Sequence, residues 1–582
     1  MIPEDRPTAD TPLSGASAAL DALTADYWDA TLELEPTLAT AIGDPGFDDR
    51  LADPSRDGSA AALARIHELD ARAAAIDADG LDAGQQVTLL ALRQSLETDI
   101  ALVGANLGDW NVDHLEGLPT SLLQIPDYQR LSTPDEGRRM VDRWRAMPGY
   151  VDASVARLRL GLHEGNVACR APVSRTIDTL DSLLAEPDDR WPLLRPAAGV
   201  AELPDWSDAE RRQFVDDLGS VVRDGIRPAL SRLRRMLADE ILPAARSDDT
   251  PGMDHVPGGG DAYQRLVRGH TTLDLTPAQL HQVGLDEIGR IDTELTELAA
   301  RVLGVATLSE ALVRLRTDPA LHFTTRDEVY ETADGCLDRA EAAVPAWFGR
   351  VPRALCNVVR MGAHEEPHST IAYYRQPAQD GSRPGTYFIN TSEPETRPRY
   401  EAEALAYHES VPGHHLQIAI AQELPDLPAF RRNLGPTAFV EGWGLYSERL
   451  ADEMGLYTGD LDRIGILSFD AWRASRLVVD TGMHALGWTR DQALAFMLEH
   501  TALAPNNIAN EVDRYIVMPA QALAYKAGQL ELLRLRAQAM DQLGATFDIR
   551  GFHDAVLGQG ALPLAVLRAS VEAWIIEKGS AA

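Results

Sequence analysis

The sequence predicts a mainly α-helical protein with a small β-sheet in its second half. Two observations predict it. Apolar residues recur at helical spacing through most of the 582 residues. Two short β-like runs, Leu355–Val359 and Thr386–Ile389, stand apart, the second bounded by Arg-Pro-Gly before it and Asn-Thr-Ser after it.

Taken in order, residues 1–14 are rich in proline and acidic residues and read as a loose tail. Ala18–Thr40 carries a helical pattern that stops at Gly-Asp-Pro-Gly. Helical blocks follow at 59–76, 83–107, 134–163, 172–185, 207–240 and 276–303, with a loop at Gly117–Pro126. The break at Asp248–Gly260, with Pro251, Pro257 and three consecutive glycines, is the clearest candidate boundary, or else a long surface loop. From residue 400 onward the pattern is again mostly helical.

Hydrophobic residues make up 45% of the chain and charged residues 25%, enough apolar material for a sizeable core. The net charge of −35 argues against nucleic acid or an anionic membrane as a partner, because phosphates would be repelled over most of the surface. Cys169, Cys336 and Cys356 are odd in number and widely spaced, which suggests neither a disulfide framework nor a cysteine metal site. The N-terminus lacks a basic region followed by an apolar one, and no run approaches the ~20 apolar residues of a membrane span, so the expectation is a cytoplasmic protein.

The stretch that carries chemistry is Tyr407-His-Glu-Ser-Val-Pro-Gly-His-His-Leu-Gln417. It resembles H-E-x-x-H, where two histidines one turn apart hold a metal and the glutamate activates water. Here the position four after His408 is Pro412, and the next histidines, His414 and His415, follow six and seven residues after His408. On a regular helix His414 is off the face of His408, and His415 is on it but about 10 Å further along. Pro412 cannot donate to the carbonyl of His408, so the helix must bulge or break there. With Gly413 tolerating unusual dihedrals, two residues can be looped out so that His414 becomes the second ligand; His415 is the alternative.

A third ligand is available downstream in Phe439-Val-Glu-Gly-Trp-Gly-Leu-Tyr-Ser-Glu-Arg-Leu450, which offers Glu441 and, on the same helix face, Glu448. Glu448 reads either as a group orienting a ligand or, preferred here, as a solvated helix glutamate. Asp480 and His484 share a face four residues apart and could pair, for a substrate contact, a supporting role or a satisfied core histidine. The remaining histidines, among them His270, His364 and His368, read as structural or surface residues.

The run H-E-S-V-P-G-H-H-L-Q is similar to the H-E-x-x-P-G-H signature of the DUF885 family, bacterial proteins regarded as zincin-like metallopeptidases. E-G-W-x-L-Y resembles that family's second motif. Asn510–Gly528 resembles its R-Y-x-x-x-P-G-Q-A-x-x-Y-K-x-G segment, with Ala520 where the family more usually has glycine, and its Arg514-Tyr515 pair resembles the angiotensin-converting type of helical zincin. Runs at Thr40–Asp44, His270–Thr276 and Asp480–His484 are also family-like, so the resemblance covers most of the chain.

The resemblance implies a large helical, gluzincin-type metallohydrolase with a small sheet beside the metal-binding helix. It implies one unit over 15–582, an N-terminal half of about 15–260 roofing a catalytic half of about 261–582. It implies one Zn2+ on His408, His414 and Glu441, with Glu409 as general base and Tyr515 as oxyanion donor. Arg514, His415, His484, Tyr525 and Lys526 are the candidate substrate contacts. Thr386–Asn390 is the candidate strand for pairing with a bound peptide, or a plain core hairpin. The implied function is zinc-dependent hydrolysis of small peptides. The alternatives are a zinc amidohydrolase for N-acyl amino acids, which would use the same site, and a non-catalytic helical peptide-binding scaffold. Glu409 separates the last from the others, because a binding protein has no use for a base beside the metal.

Overall fold

The computed structural model describes residues 15–362, 366, 370–378, 381 and 383–581. The tail at 1–14, His364 and His368 lie outside the described residues. The chain is mainly helical with one three-stranded sheet. No helix among the described residues is long and apolar enough to cross a membrane.

The N-terminal helices begin and end where local chemistry dictates. Pro134–His163 starts in a capping box of Thr133 with Glu136, and Pro277–Leu303 in one of Thr276 with Gln279. The first predicted helix is split into Gly15–Leu34 and Pro36–Ile42, closed by Gly43 in the left-handed conformation at φ 94°. The block predicted at 207–240 is helical but widens into π turns at Val221–Ile226 and Leu237–Ile241. Each comes just before a proline, Pro228 or Pro243, that lacks the N–H needed to keep the regular ladder.

One core cluster, around the buried Trp144 and Trp191, is drawn wholly from residues 112–241. Others cross the sequence: Phe430 joins residues 20–96, and Leu477, Ala520 and Leu523 join residues 105–280. The Asp248–Gly260 break is tied down. Arg246 donates to the carbonyls of Thr250 and Gly252, and the Met253 N–H donates to His484 Nδ1 at 3.1 Å.

The elements around the candidate site are strands β1 (Cys356–Arg360), β2 (Ala372–Arg375) and β3 (Gly385–Ile389), and helices α1 (Arg399–Glu409), α2 (His414–Gln422), α3 (Thr437–Glu453), α4 (Asp460–Ala485), α5 (Pro505–Val517) and α6 (Leu523–Leu543). The strand order is β1-β3-β2, with β3 parallel to β1 and antiparallel to β2. This corrects one expectation. Thr386–Asn390 falls on the central strand, whose two edges are already occupied, so it cannot also pair with a peptide.

Helix α4 is buried along most of its length and packs on Pro277–Leu303, α1 and α6. Helices α3 and α6 meet at Gly442 and Gly528. A Cβ on Gly528 would lie 1.8 Å from the carbonyl oxygen of Ala438, and one on Gly442 would lie 2.5 Å from the Gly528 backbone. Two glycines therefore let the helix carrying Glu441 touch, backbone to backbone, the helix carrying Tyr525.

Candidate metal centre

The chain breaks, rather than bulges, between the first two candidate ligands. Helix α1 ends at Glu409, residues Ser410–Gly413 form a turn, and α2 begins at His414. A Cβ on Gly413 would sit 1.9 Å from the carbonyl oxygen of His408, so the turn needs glycine there. The turn is clamped from α3: the carbonyl of Pro412 accepts hydrogen bonds from Trp443 Nε1 (2.9 Å) and Ser447 Oγ (3.2 Å). The tryptophan of the second motif thus holds the first.

This turn brings His414, not His415, to His408; the ring centroids are 4.6 Å apart. Glu441 Oε2 lies 3.5 Å from His408 Nε2 and 3.6 Å from His414 Nε2. One ligand atom from each of the three residues lies within 4.8 Å of the others, a set that could hold a metal ion. Burial would raise the Glu441 carboxyl, yet hydrogen bonding and charge from the two histidines hold it well below the usual range. Gly444 makes room for His408, since a Cβ there would fall 2.5 Å from its Cε1.

Glu448 is not the solvated glutamate that its sequence context favours. Its side chain is 1% exposed, and Oε1 accepts from His408 Nδ1 at 2.8 Å. That bond sets the orientation of the ring and points Nε2 toward Glu441 and His414. Glu448→Gln is expected to weaken metal affinity by about 10- to 100-fold, the usual effect of losing such a partner. Competition with a chromophoric chelator would measure it, and unchanged affinity would remove Glu448 from the site.

Glu409 is half-buried beside this set and outside it; its charge acts on His408 and on the buried Tyr387 of β3.

Several sequence-derived substrate contacts lie elsewhere. His415 is buried with both ring nitrogens engaged, Nδ1 with Tyr374 Oη (2.9 Å) and Nε2 with the Ala354 carbonyl (3.1 Å), and burial pushes its pKa down to about 4. It braces α2 against the sheet. His484 accepts from Met253 and donates Nε2–H to the Tyr515 carbonyl (2.9 Å), and burial lowers it to about 4. Its expected partner Asp480 instead accepts from Tyr263 and from the Ala520 N–H. Ala520 has φ 69°, which explains why glycine suits that position. Lys526 spends its three N–H groups on Asp470 (2.5 Å), Gln529 (2.7 Å) and Glu287 (3.0 Å). None of the three has a donor left for substrate.

Tyr515 also departs from its expected role. It is fully buried, and its hydroxyl donates to Glu511 Oε2 at 2.6 Å while accepting from Arg476 Nε at 3.0 Å. Arg514 grips the same Glu511 through Nε and Nη2. Tyr525, by contrast, is partly exposed and within electrostatic reach of Glu441. Burial, and then the Glu441 charge, raise its hydroxyl above the ordinary tyrosine value, which keeps it a hydrogen-bond donor. Arg473 and Arg476 of α4 lie one turn apart on one face, as R-A-S-R on a helix places them.

The fold is large and helical with a small sheet, and it carries two buried histidines converging with a partly exposed glutamate. The chain matches the family described as "Bacterial protein of unknown function (DUF885)" over residues 36–571, and it belongs to that family. No curated protein sequence matches it. It is similar to the crystal structure described as a putative lipoprotein from Colwellia psychrerythraea, with TM-score 0.90 and 26% identity over 97% of this chain and 100% of that one. It also shares its fold with a structure described as a putative lipoprotein of unknown function from Shewanella oneidensis, with TM-score 0.73 and 18% identity over 94% of this chain and 99% of that one.

Proposed function

We propose that this protein is a zinc-dependent metallopeptidase acting on small peptides. The observation that carries the reading is the convergence of His408, His414 and Glu441, with His408 oriented by Glu448 and a separate glutamate, Glu409, alongside. Two imidazoles and one carboxylate suit Zn2+ and leave a fourth position open. When bound, the ion would supply Lewis acidity to the scissile carbonyl and lower the pKa of a water.

The chain's own residues supply the rest. Glu409 takes a proton from the attacking water and returns it to the leaving amine. Tyr525, rather than Tyr515, donates a hydrogen bond to the oxygen on which negative charge develops. Helices α3 and α6, in backbone contact at Gly442 and Gly528, hold that donor in a fixed relation to Glu441.

Elemental analysis of protein purified without added metal tests the reading. Wild type and His415→Ala should carry close to one zinc per chain, and His414→Ala should carry essentially none. Metal-free wild type that also failed to take up added zinc would sink the proposal.

A further inference from the structure

Within electrostatic reach of the candidate ligand set lies a group of three arginines to which one carboxylate, Glu511, is hydrogen-bonded. Arg476 (Nη2) and Arg514 both hydrogen-bond Glu511, and Arg514 also donates to Gln521 Oε1. Arg473 of α4 has no such partner. It is 5% exposed, its guanidinium stacks on the rings of Phe469 (4.3 Å) and Trp472 (4.2 Å), and its Nε and Nη1 are buried without a hydrogen-bond acceptor among the described residues. Arg476 Nη1, one turn on, is likewise unpartnered, and that guanidinium lies 4.3 Å over the ring of Tyr525.

Buried N–H groups on a cation are costly to leave unmade and bind an anion strongly when one is offered. The place is defined by its neighbours. Arg476, one turn from Arg473, lies over the ring of Tyr525, the proposed oxyanion donor, and Arg473 is within electrostatic reach of Tyr525, Glu448 and Glu441. Two aromatic faces hold the guanidinium in a set orientation, as a fork for a planar anion requires.

We propose that Arg473, backed by Arg476, binds a carboxylate of the substrate, so that this site selects peptides or N-acyl amino acids with an anionic group close to the scissile amide. The inference rests on the metallopeptidase reading for the word substrate, but the carboxylate subsite itself does not require the metal. A free C-terminus and an acidic side chain present the same chemistry.

Calorimetric binding tests it on the full chain, with zinc present and after chelation. The probes are acetyl-Gly-Phe, its C-terminal amide, and acetyl-Gly-Glu amide, whose only carboxylate is on the side chain. At least one carboxylate probe should bind wild type tenfold or more tighter than the uncharged amide. The tighter of the two identifies the carboxylate that is read. Arg473→Gln should abolish that preference at unchanged zinc content and melting temperature, and Arg473→Lys, which keeps the charge but not the fork, should restore part of it.

Equal binding of all three probes, or a preference that survives in Arg473→Gln, overturns the proposal. If Arg473→Gln does not fold, Arg473→Lys and the wild-type probe series decide the matter. A carboxylate preference in protein that neither holds zinc nor hydrolyses any probe would leave this subsite standing and remove the peptidase reading.

Discussion

Glu409→Gln is expected to lower peptide hydrolysis by about 10²- to 10⁴-fold, the range lost when a positioned general base can no longer accept a proton. Zinc content should stay at the wild-type value, because Glu409 is not among the three converging ligands. Glutamine keeps the size of the side chain, so the half-buried site beside His408 and Tyr387 should not collapse. The measurement is kcat on the best substrate from a peptide library, with zinc assayed on the same sample. Full activity in the variant would show that the base is another group. Loss of both zinc and activity would make Glu409 a ligand or its support.

The second large effect concerns stability rather than chemistry. Asp470 of α4 is 1% exposed and is held by Lys526 and Arg449, each at 2.5 Å, and by Arg290 at 3.3 Å. Burial would raise its carboxyl, but the opposing pull of Lys526 and Arg449 keeps it well below the usual range. Asp470→Leu leaves Lys526 buried with its charge only partly matched by Glu287, and it should cost about 3–5 kcal/mol of folding stability.

The pH dependence follows from the sign of that shift. A depressed carboxyl stabilises the fold fully above its unfolded-chain pKa of about 4 and loses that contribution as pH falls below it. The deficit of the variant should therefore be complete at neutral pH and shrink in acid. Adding Lys526→Met should recover much of it, since replacing both partners of a buried pair by apolar groups is often neutral. Denaturant unfolding of the single and double variants measures both, and a double variant no more stable than the single would show that Lys526 is not the stranded charge.

How much of the site is legible in the sequence depends on how local its cause is. Pro412 forbids one hydrogen bond four residues back, so the break in the helix, and with it the choice of His414, follows from the chain alone. The choice between Tyr515 and Tyr525 does not. Which face of α6 meets Glu441 is decided by Gly442 against Gly528, a contact between residues far apart in sequence. Glu448 was misread for the same reason: its spacing from Glu441 is local, but its burial against His408 is tertiary.

The sheet shows a similar limit. β1 and β3 were visible as short apolar runs, whereas β2 consists of four half-buried residues with no alternation to betray it. Without β2 the central position of β3 could not be seen. Periodicity foresaw the 207–240 helix but not its two wide turns, which depend on how the chain absorbs Pro228 and Pro243 without stopping.

The hydrogen bond from Trp443 to the Pro412 carbonyl has a mechanical consequence. It ties the segment between His408 and His414 to the helix that bears Glu441 and Glu448, so all three candidate ligands and the residue that orients one of them belong to a single braced frame. On the metallopeptidase reading, a substrate would meet a frame whose shape is set before it arrives.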